Sequence, residues 1–286
     1  MYVFKAGVVG AGVMGGEIAQ VIAFAGIPVV LKDVDQRFLD KGLAQVRSIL
    51  KRRVDKGKMT AEELDEQLGR VTPTLSFDEF ADVDLVIEAV PEVLAVKEAV
   101  YRDLDTATPP HAILASNTSG LSITQLGSFT SRPDKVVGAH FFAPASVMKL
   151  VEVIPGERTS SETVDSTAAF VESIRKVAVR VRETPAFAVN RVLSASLAQI
   201  LRYREETGAS PEEIDQAVVE AKAAPMGPFR LMDMSGLDTV LHTQDNLVER
   251  LGARYGGGAH ELRRMVEAGE LGVKSGKGYF EYGGKG

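Results

Sequence analysis

Short apolar runs alternate with helical stretches along the first part of the chain, and this alternation restricts the fold more than any other feature. The runs occupy residues 5–9, 28–31, 83–90, 111–117, 135–142, 150–155 and 176–181. Each run is short and mostly apolar, as expected for a strand that is buried on both faces. Because helical patterns fill most of the intervals, the strands are expected to pair mainly in parallel. The pattern predicts an α/β fold with a doubly wound sheet.

The second part of the chain has a different pattern. From Asn190 onward, stretches with helical periodicity follow one another with hardly any strand pattern, and Ser210 and Pro211 form a helix start signal. With 286 residues, of which 45% are hydrophobic, the chain is long enough for two domains. We predict a sheet domain over residues 1–183 and an all-helical C-terminal domain over residues 184–286.

The string GAGVMG follows the first run and opens a helix. It is a GxGxxG motif, made of Gly10, Gly12, Val13, Met14 and Gly15. Such a string also occurs at plain strand–helix turns, but here Asp33 ends the next strand, about twenty residues on. The glycines allow a tight turn and a close approach to a pyrophosphate, to which the helix N-terminus offers N–H groups. The motif therefore predicts a Rossmann-like dinucleotide site. Asp33 is either a solvated strand end or binds the adenosine ribose, and in that role it favours NAD over NADP.

Two polar residues stand out inside apolar runs. His140 lies at the carboxyl end of the run 135–142, and Glu152 lies within the run 150–155. A buried carboxylate is costly unless it has a partner, so neighbouring strands could bring Glu152 to His140. The carboxylate would then orient the ring and stabilise the imidazolium while the ring takes a substrate proton. The alternative is an unrelated core histidine and an edge-strand glutamate, and spacing alone does not decide between the two.

A polar cluster and a single amide also follow apolar segments. Ser116, Asn117, Thr118 and Ser119 end one run, and Asn190 opens the helical part. These side chains could bind cofactor and substrate at strand ends and at a domain junction. Capping of the following helix is the more common role for such residues and is the favoured interpretation from pattern alone.

Charge and composition exclude several function classes. The net charge is −6 and the sequence pI is about 5.4, so no global basic field indicates binding to nucleic acid or to an anionic membrane. The chain has no cysteine, which excludes a disulfide framework, a thiolate nucleophile and a cysteine–zinc site. No apolar run is long enough to cross a membrane, and the N-terminus lacks signal-peptide features. We expect a cytoplasmic protein.

One helical stretch is strongly basic within this acidic chain. In residues 43–58 an apolar stripe faces one side, and Arg47, Lys51, Arg52, Lys56 and Lys58 cover the rest. Such a face is usually only solvated. The alternative is a basic wall for a phosphorylated ligand such as coenzyme A.

Taken together, these segments are similar to the NAD-dependent 3-hydroxyacyl-CoA dehydrogenase family, nearly from end to end. The matching pieces are GAGVMG, VLKD, VIEAVPE, ASNTS, HFFAP with MKLVEVIPG, VNR, PMGP with GLD, and LGVKSGKGYF. The resemblance implies a nucleotide-binding α/β domain and a helical domain that also forms a dimer interface. The implied reaction oxidises the 3-hydroxyl group of an acyl-CoA to a ketone, within fatty-acid β-oxidation or short-chain acyl-CoA metabolism.

The resemblance also implies roles for particular residues. His140 would be the general base and Glu152 its orienting partner, while Ser119 and Asn190 would hydrogen-bond the reacting oxygens of the substrate. The remaining matched positions are Glu92, Lys97 and Asn117 near the cofactor, and Lys56 on the helical arm that binds coenzyme A. No metal site is expected.

Three departures from the family pattern accompany these matches. Ala143 stands where asparagine is common, and Glu17 stands where a glycine is common. Before Asn190, the chain has PAF, with Ala186 in the middle, where PGF is common. None of them removes a named catalytic group. Any hydration or thiolysis step is expected to come from a separate hydratase or thiolase. The alternative functions are a dehydrogenase of a free 3-hydroxy acid or sugar acid and a non-catalytic NAD-binding protein.

Overall fold

A computed structural model describes residues 1–283 of the chain. Its internal contacts divide the chain into two compact units, Met1–Thr184 and Pro185–Gly286. Among the described residues, no helix is both long and apolar enough to cross a lipid bilayer.

The first unit is built on one sheet. Its strands are β1 (Ala6–Val9), β2 (Val29–Lys32), β3 (Val71–Thr74), β4 (Leu85–Glu88), β5 (Ile113–Ser116), β6 (Val136–Phe141), β7 (Leu150–Pro155) and β8 (Val177–Arg180). Within residues 1–283 they form one sheet in the order β3-β2-β1-β4-β5-β6-β7-β8. Every adjacent pair in this order is parallel except β6 and β7, which are antiparallel. The predicted fold class, a Rossmann-like sheet domain followed by a helical domain, is confirmed.

Helices of the first unit lie between the strands along the chain. They are α1 (Val13–Phe24), α2 (Gln36–Asp55), α3 (Ala61–Gly69), α4 (Leu94–Ala107), α5 (Ile123–Gly127) and α6 (Ser161–Ser173). The core of this unit joins the sheet to buried faces of α1, α2 and α6. Helix α2 packs closely on α1, because Gly42 has no side chain and lies against the backbone of Ala11. This contact fixes the basic helix beside the dinucleotide turn.

Strand β3 was not among the predicted strands. Its sequence, VTPT, contains Pro73 and is mostly exposed. Proline cannot donate a backbone hydrogen bond and is tolerated on edge strands, and β3 is at one edge of the sheet. The short polar run therefore carries little strand signal, although it pairs with β2 in regular register.

The second unit is helical. Its helices are α7 (Val189–Thr207), α8 (Pro211–Glu220), α9 (Pro228–Ser235), α10 (Leu237–Leu251) and α11 (Ala259–Glu267). Helix α8 begins with a capping box, in which Ser210 and Glu213 bond each other's backbone N–H groups. Buried Asp233 holds the C-terminal segment, because it accepts hydrogen bonds from Tyr279 N and Phe280 N, both at 2.9 Å, and from Tyr282 Oη at 3.0 Å.

Candidate active site

The antiparallel pairing of β6 and β7 places His140 directly opposite Glu152. The two side chains meet with 2.8 Å between His140 Nδ1 and Glu152 Oε2, and both are buried. A carboxylate only accepts hydrogen bonds, so this contact assigns a proton to Nδ1. Nε2 of His140 is then the nitrogen that can accept a proton from a bound molecule.

Ser119 lies on the other side of the imidazole ring. Its hydroxyl oxygen is 3.1 Å from His140 Nε2, and the residue itself is exposed. Glu92 fixes the loop that carries Ser119, since its Oε1 accepts from Ser119 N at 3.1 Å and also from the Thr118 hydroxyl. Ser119, His140 and Glu152 thus form a continuous hydrogen-bonded line that begins at the protein surface.

Lys97 has a buried ammonium group between two carboxylates. Its Nζ is 2.6 Å from Glu88 Oε1 and 3.2 Å from Glu92 Oε2, and its side chain is 1% exposed. Glu88 also accepts from the Ser116 hydroxyl at 2.7 Å. Burial and the nearby Glu88 charge raise the pKa of Tyr101 well above its usual value. In this arrangement Lys97 acts on the site by holding Glu92, which in turn holds the Ser119 loop.

Asn117 connects the ends of two strands. Its side-chain oxygen accepts a hydrogen bond of 2.9 Å from Phe141 N, the residue that follows His140. Capping of the following helix, the interpretation that the pattern favoured for the polar cluster, is wrong, because helix α5 is capped by Ser122. Asn190 is likewise the second residue of α7, whose N-cap is Ala188. Asn190 lies in the second unit and is half-buried.

The turn between β1 and α1 has the backbone that close approach of a ligand requires. Gly10 has a φ of +98°, and a Cβ on it would come within 2.6 Å of the Ala89 carbonyl oxygen. A Cβ on Gly15 would overlap the carbonyl oxygen of Gly10, whereas a Cβ on Gly12 would meet no described atom within 4 Å. Gly12 is the N-cap of α1 and provides no side-chain cap. The space at this helix end is therefore open to a ligand with acceptor oxygens.

Asp33 lies beside this turn. Its Oδ2 accepts from Ala11 N at 2.7 Å and its Oδ1 from Val34 N at 2.7 Å. A carboxylate has about four acceptor positions, so Asp33 keeps capacity for further hydroxyl donors. Val13 is 59% exposed and Met14 is partly buried, both in the first turn of α1.

A cavity of about 710 Å³ lies beside α1 and α2 in the first unit. Its cationic lining residues are Arg52, Arg53, Lys56, Lys58, Lys149, Arg175 and Lys176. Glu17 is the one carboxylate among the lining residues within the described part of the chain. Burial lowers the pKa of Lys176, and the Glu17 charge counteracts this effect. We call this cavity the basic pocket; it suits a ligand with several negative charges.

Sequence reasoning missed several residues of these networks. Glu88 is completely buried within an apolar run, so the signal that singled out Glu152 applies to it equally. Thr118 was part of the polar cluster but had no separate role. In residues 1–283, no group of three or more histidine, aspartate or glutamate side chains is arranged to hold a metal ion.

Comparison with known proteins gives matches over both units. Residues 5–184 match the family model described as 3-hydroxyacyl-CoA dehydrogenase, NAD binding domain, and residues 187–282 match the model of the C-terminal domain of the same family. A probable 3-hydroxybutyryl-CoA dehydrogenase of Bacillus subtilis is 42% identical over 275 residues, which cover 96% of each chain. The 3-hydroxybutyryl-CoA dehydrogenase of Clostridioides difficile is 42% identical over 280 residues, or 97% of this chain and 99% of the relative.

Solved structures are similar over the full length as well. The (S)-3-hydroxybutyryl-CoA dehydrogenase of Ralstonia eutropha has a TM-score of 0.94 and 38% identity, and the match covers 99% of this chain and 100% of the other.

A fatty acid oxidation complex subunit alpha of Acinetobacter baylyi is 40% identical over 282 residues, but this match covers only 39% of that larger protein.

Proposed function

Because the chain belongs to the 3-hydroxyacyl-CoA dehydrogenase family, we propose that it catalyses the reversible, NAD-dependent oxidation of (3S)-hydroxyacyl-CoA to 3-ketoacyl-CoA. The observation that carries this proposal is the hydrogen-bonded line Ser119–His140–Glu152 at the carboxyl end of the sheet. Ligands of parallel α/β sheets bind at this end. The first unit is then the NAD-binding domain and the second the substrate-binding and dimerisation domain.

The dinucleotide turn has the features that NAD requires. There is no room for a side chain at Gly10 or Gly15, whereas Gly12 leaves open space at the N-terminus of α1. In that space a pyrophosphate would accept hydrogen bonds from the N–H groups of Val13 and Met14. Asp33 would accept hydrogen bonds from ribose hydroxyls and repel a 2′-phosphate. When bound, NAD supplies the hydride acceptor.

His140 is the proposed general base. Its Nε2 accepts the proton of the substrate 3-hydroxyl group, and in the reverse direction it returns that proton to the ketone oxygen. The buried carboxylate of Glu152 fixes the ring through Nδ1 and stabilises the imidazolium that forms. Ser119 donates to the reacting oxygen, and Asn190 is assigned a hydrogen bond to the same substrate by its match to the family motif VNR.

Three further residues have cofactor roles in this proposal. Glu92 would accept hydrogen bonds from the nicotinamide ribose, and Lys97 holds Glu92 in place through the 3.2 Å contact. Asn117 keeps the ends of β5 and β6 together beside the nicotinamide site, through its bond to Phe141 N.

The basic pocket is the proposed site for the phosphates of coenzyme A. Arg52 and Lys56 are exposed cations on the C-terminal turn of α2 and just beyond it, which suits a pyrophosphate and a 3′-phosphate. This excess of positive charge favours a coenzyme A thioester over a free hydroxy acid, which carries a single charge. A free acid is therefore the substrate that the experiment below has to exclude.

The test is consumption of NADH by the purified protein with acetoacetyl-CoA and with longer 3-ketoacyl-CoA thioesters. His140→Ala should lower kcat/KM by about a hundredfold or more. His111→Ala is the matched control, because His111 is exposed on the surface and pairs with Asp84. Retained activity in His140→Ala would refute the mechanism, and equal turnover of free acetoacetate would refute the thioester assignment. NADPH should be a poor substitute for NADH.

We further propose that the protein is a cytoplasmic homodimer that works beside a separate enoyl-CoA hydratase and thiolase. Size-exclusion chromatography with light scattering tests the dimer, for which a monomer at micromolar concentration is the contrary result.

A further inference from the structure

The loop that joins β6 to β7, residues 142–149, is held on two sides by charged side chains. We call it the Pro144 loop. Lys176 Nζ donates to the carbonyl oxygens of Ala145 and Met148, at 2.6 Å and 2.8 Å. From the other side, Glu17 Oε2 accepts from Ser146 N at 3.1 Å and lies 3.5 Å from the Ser146 hydroxyl. The loop backbone is thus bound by the Lys176 ammonium at two carbonyl oxygens and by the Glu17 carboxylate at one N–H group.

Glu17 belongs to the dinucleotide-binding helix, two residues after the GxGxxG motif. It is 8% exposed, and its Oε1 accepts from Gln45 Nε2 at 3.3 Å. Gln45 Nε2 also lies 3.2 Å from the Val13 carbonyl oxygen in the first turn of α1. A buried carboxylate costs free energy unless it is paired or hydrogen-bonded. Here the hydrogen bonds that offset this cost come from Gln45 on α2 and from Ser146 in the Pro144 loop.

The Pro144 loop contacts both parts of the proposed substrate site. At its start, the Phe142 ring lies 4.5 Å from the His140 ring, measured between centroids. Further along, Pro144, Ser146 and Lys149 line the basic pocket. The position of the loop therefore sets one wall of that pocket.

We propose that Glu17 is a positioning residue for the coenzyme A thioester. By holding Ser146 N, it keeps the Pro144 loop against α1, so that this wall of the basic pocket is in place before the substrate binds. The inference rests on the proposed function, which assigns the pocket to coenzyme A. A wall that is ordered in advance spares the substrate the entropy cost of ordering it, so loss of Glu17 should weaken binding and leave the chemical step nearly unchanged.

Glu17 also has an effect that weakens coenzyme A binding, because its negative charge lines a pocket for an anion and repels it. Two variants separate the effects. Glu17→Ala removes both the charge and the acceptor, whereas Glu17→Gln removes the charge and keeps an amide oxygen for Ser146 N. A positioning role predicts weaker binding only in Glu17→Ala; a purely electrostatic role predicts tighter binding in both variants.

The matched control is Asp105→Ala. Asp105 also holds a serine, since its carboxylate accepts from Ser131 N at 2.8 Å and from the Ser131 hydroxyl at 3.1 Å. Neither residue lines the basic pocket. A general loss of stability should therefore appear in Asp105→Ala as well, without a change in substrate binding.

The experiment measures KM and kcat with acetoacetyl-CoA, the dissociation constant of coenzyme A by calorimetry, and amide hydrogen exchange at Ser146. In Glu17→Ala, KM and the dissociation constant should rise about tenfold and kcat should change less than about threefold, the loss expected for one charge-assisted hydrogen bond. Ser146 should lose exchange protection in Glu17→Ala and keep it in Glu17→Gln, where binding should recover to within about threefold of the original protein.

The outcomes distinguish this inference from the proposed function. Unchanged coenzyme A binding in Glu17→Ala, or an equal loss in Asp105→Ala, overturns the inference even if the original protein turns over acetoacetyl-CoA rapidly. If the original protein binds coenzyme A in a Glu17-dependent way but turns over no thioester, the positioning role stands and the proposed function fails.

Discussion

Replacement of Glu152 by glutamine tests how much the buried carboxylate contributes to catalysis. Glu152 is completely buried and its Oε2 lies 2.8 Å from His140 Nδ1. Glutamine has nearly the same shape and can still accept a hydrogen bond from Nδ1, so Glu152→Gln removes the negative charge and little else. The variant should fold, and its loss of activity should come from the imidazolium that is no longer stabilised.

The size of the effect follows from Coulomb's law. Opposite unit charges about 4 Å apart interact by about 4 kcal/mol at an effective dielectric constant of about 20. Because the pair is buried, no large discount for solvent screening applies. Full expression of this energy in the transition state would cost a factor of about a thousand in kcat. The imidazolium is only partly formed there, so the expected loss is about a hundredfold to a thousandfold.

The assay is NADH oxidation with acetoacetyl-CoA for Glu152→Gln, His140→Ala and the double variant, with circular dichroism to confirm folding. KM for NADH and for the thioester should stay within about threefold. If Glu152 acts through His140, the second substitution should cost little in the His140→Ala background. A kcat within threefold of the original protein, or the full loss repeated in the absence of His140, would refute the reasoning.

Three other predictions concern the cofactor turn, the basic pocket and the helical unit. Gly12→Ala should fold normally and bind NADH at least about tenfold more weakly in fluorescence titration, whereas Gly15→Ala should unfold more easily, since its Cβ has no space. Lys56→Ala should raise KM for acetoacetyl-CoA about threefold at low salt, with no change for acetoacetyl-pantetheine and none in the control Lys51→Ala. Asp233→Ala should lower the free energy of unfolding by about 3 kcal/mol in urea titrations, because it leaves three partly buried donors without their acceptor; a loss below about 1 kcal/mol would contradict this.

The sequence was sufficient for the fold class because most of the predicted strands are buried; β8, at the sheet edge opposite β3, is exposed. Runs such as 83–90 and 150–155 are mostly apolar, and this composition is typical of a strand that is covered on both faces. Strand β3 has no such signal, because it is exposed at the sheet edge and contains Pro73. Its pairing depends on the neighbouring β2, which is information that local sequence does not carry.

The pairing of His140 with Glu152 was predictable as a hypothesis, but its geometry was not. Each residue was conspicuous as a polar group in an apolar run, and burial then required a partner. The sequence does not state that β7 runs antiparallel to β6, and the exact opposition of the two residues depends on that direction. Lys97 shows the converse case: its match to the family predicted a place near the cofactor, while the structure adds its contacts with Glu88 and Glu92, which local sequence does not reveal.

The one antiparallel pair in the described sheet explains why the site is compact. A parallel crossover needs a long connection, whereas the Pro144 loop joins β6 to β7 directly, so the proposed base and its carboxylate come from adjacent strands with a single short connection between them. Because the connection is short, both ends of the loop lie next to the site: Phe142 lies against His140, and Lys149 precedes the strand that carries Glu152. The β6–β7 ladder pairs His140 directly with Glu152, so a displacement of the Pro144 loop should change the basic pocket and leave the proposed base in place. A raised KM with a nearly unchanged kcat is therefore the expected result in Glu17→Ala, and a large change in kcat would contradict the independence of His140 from the loop.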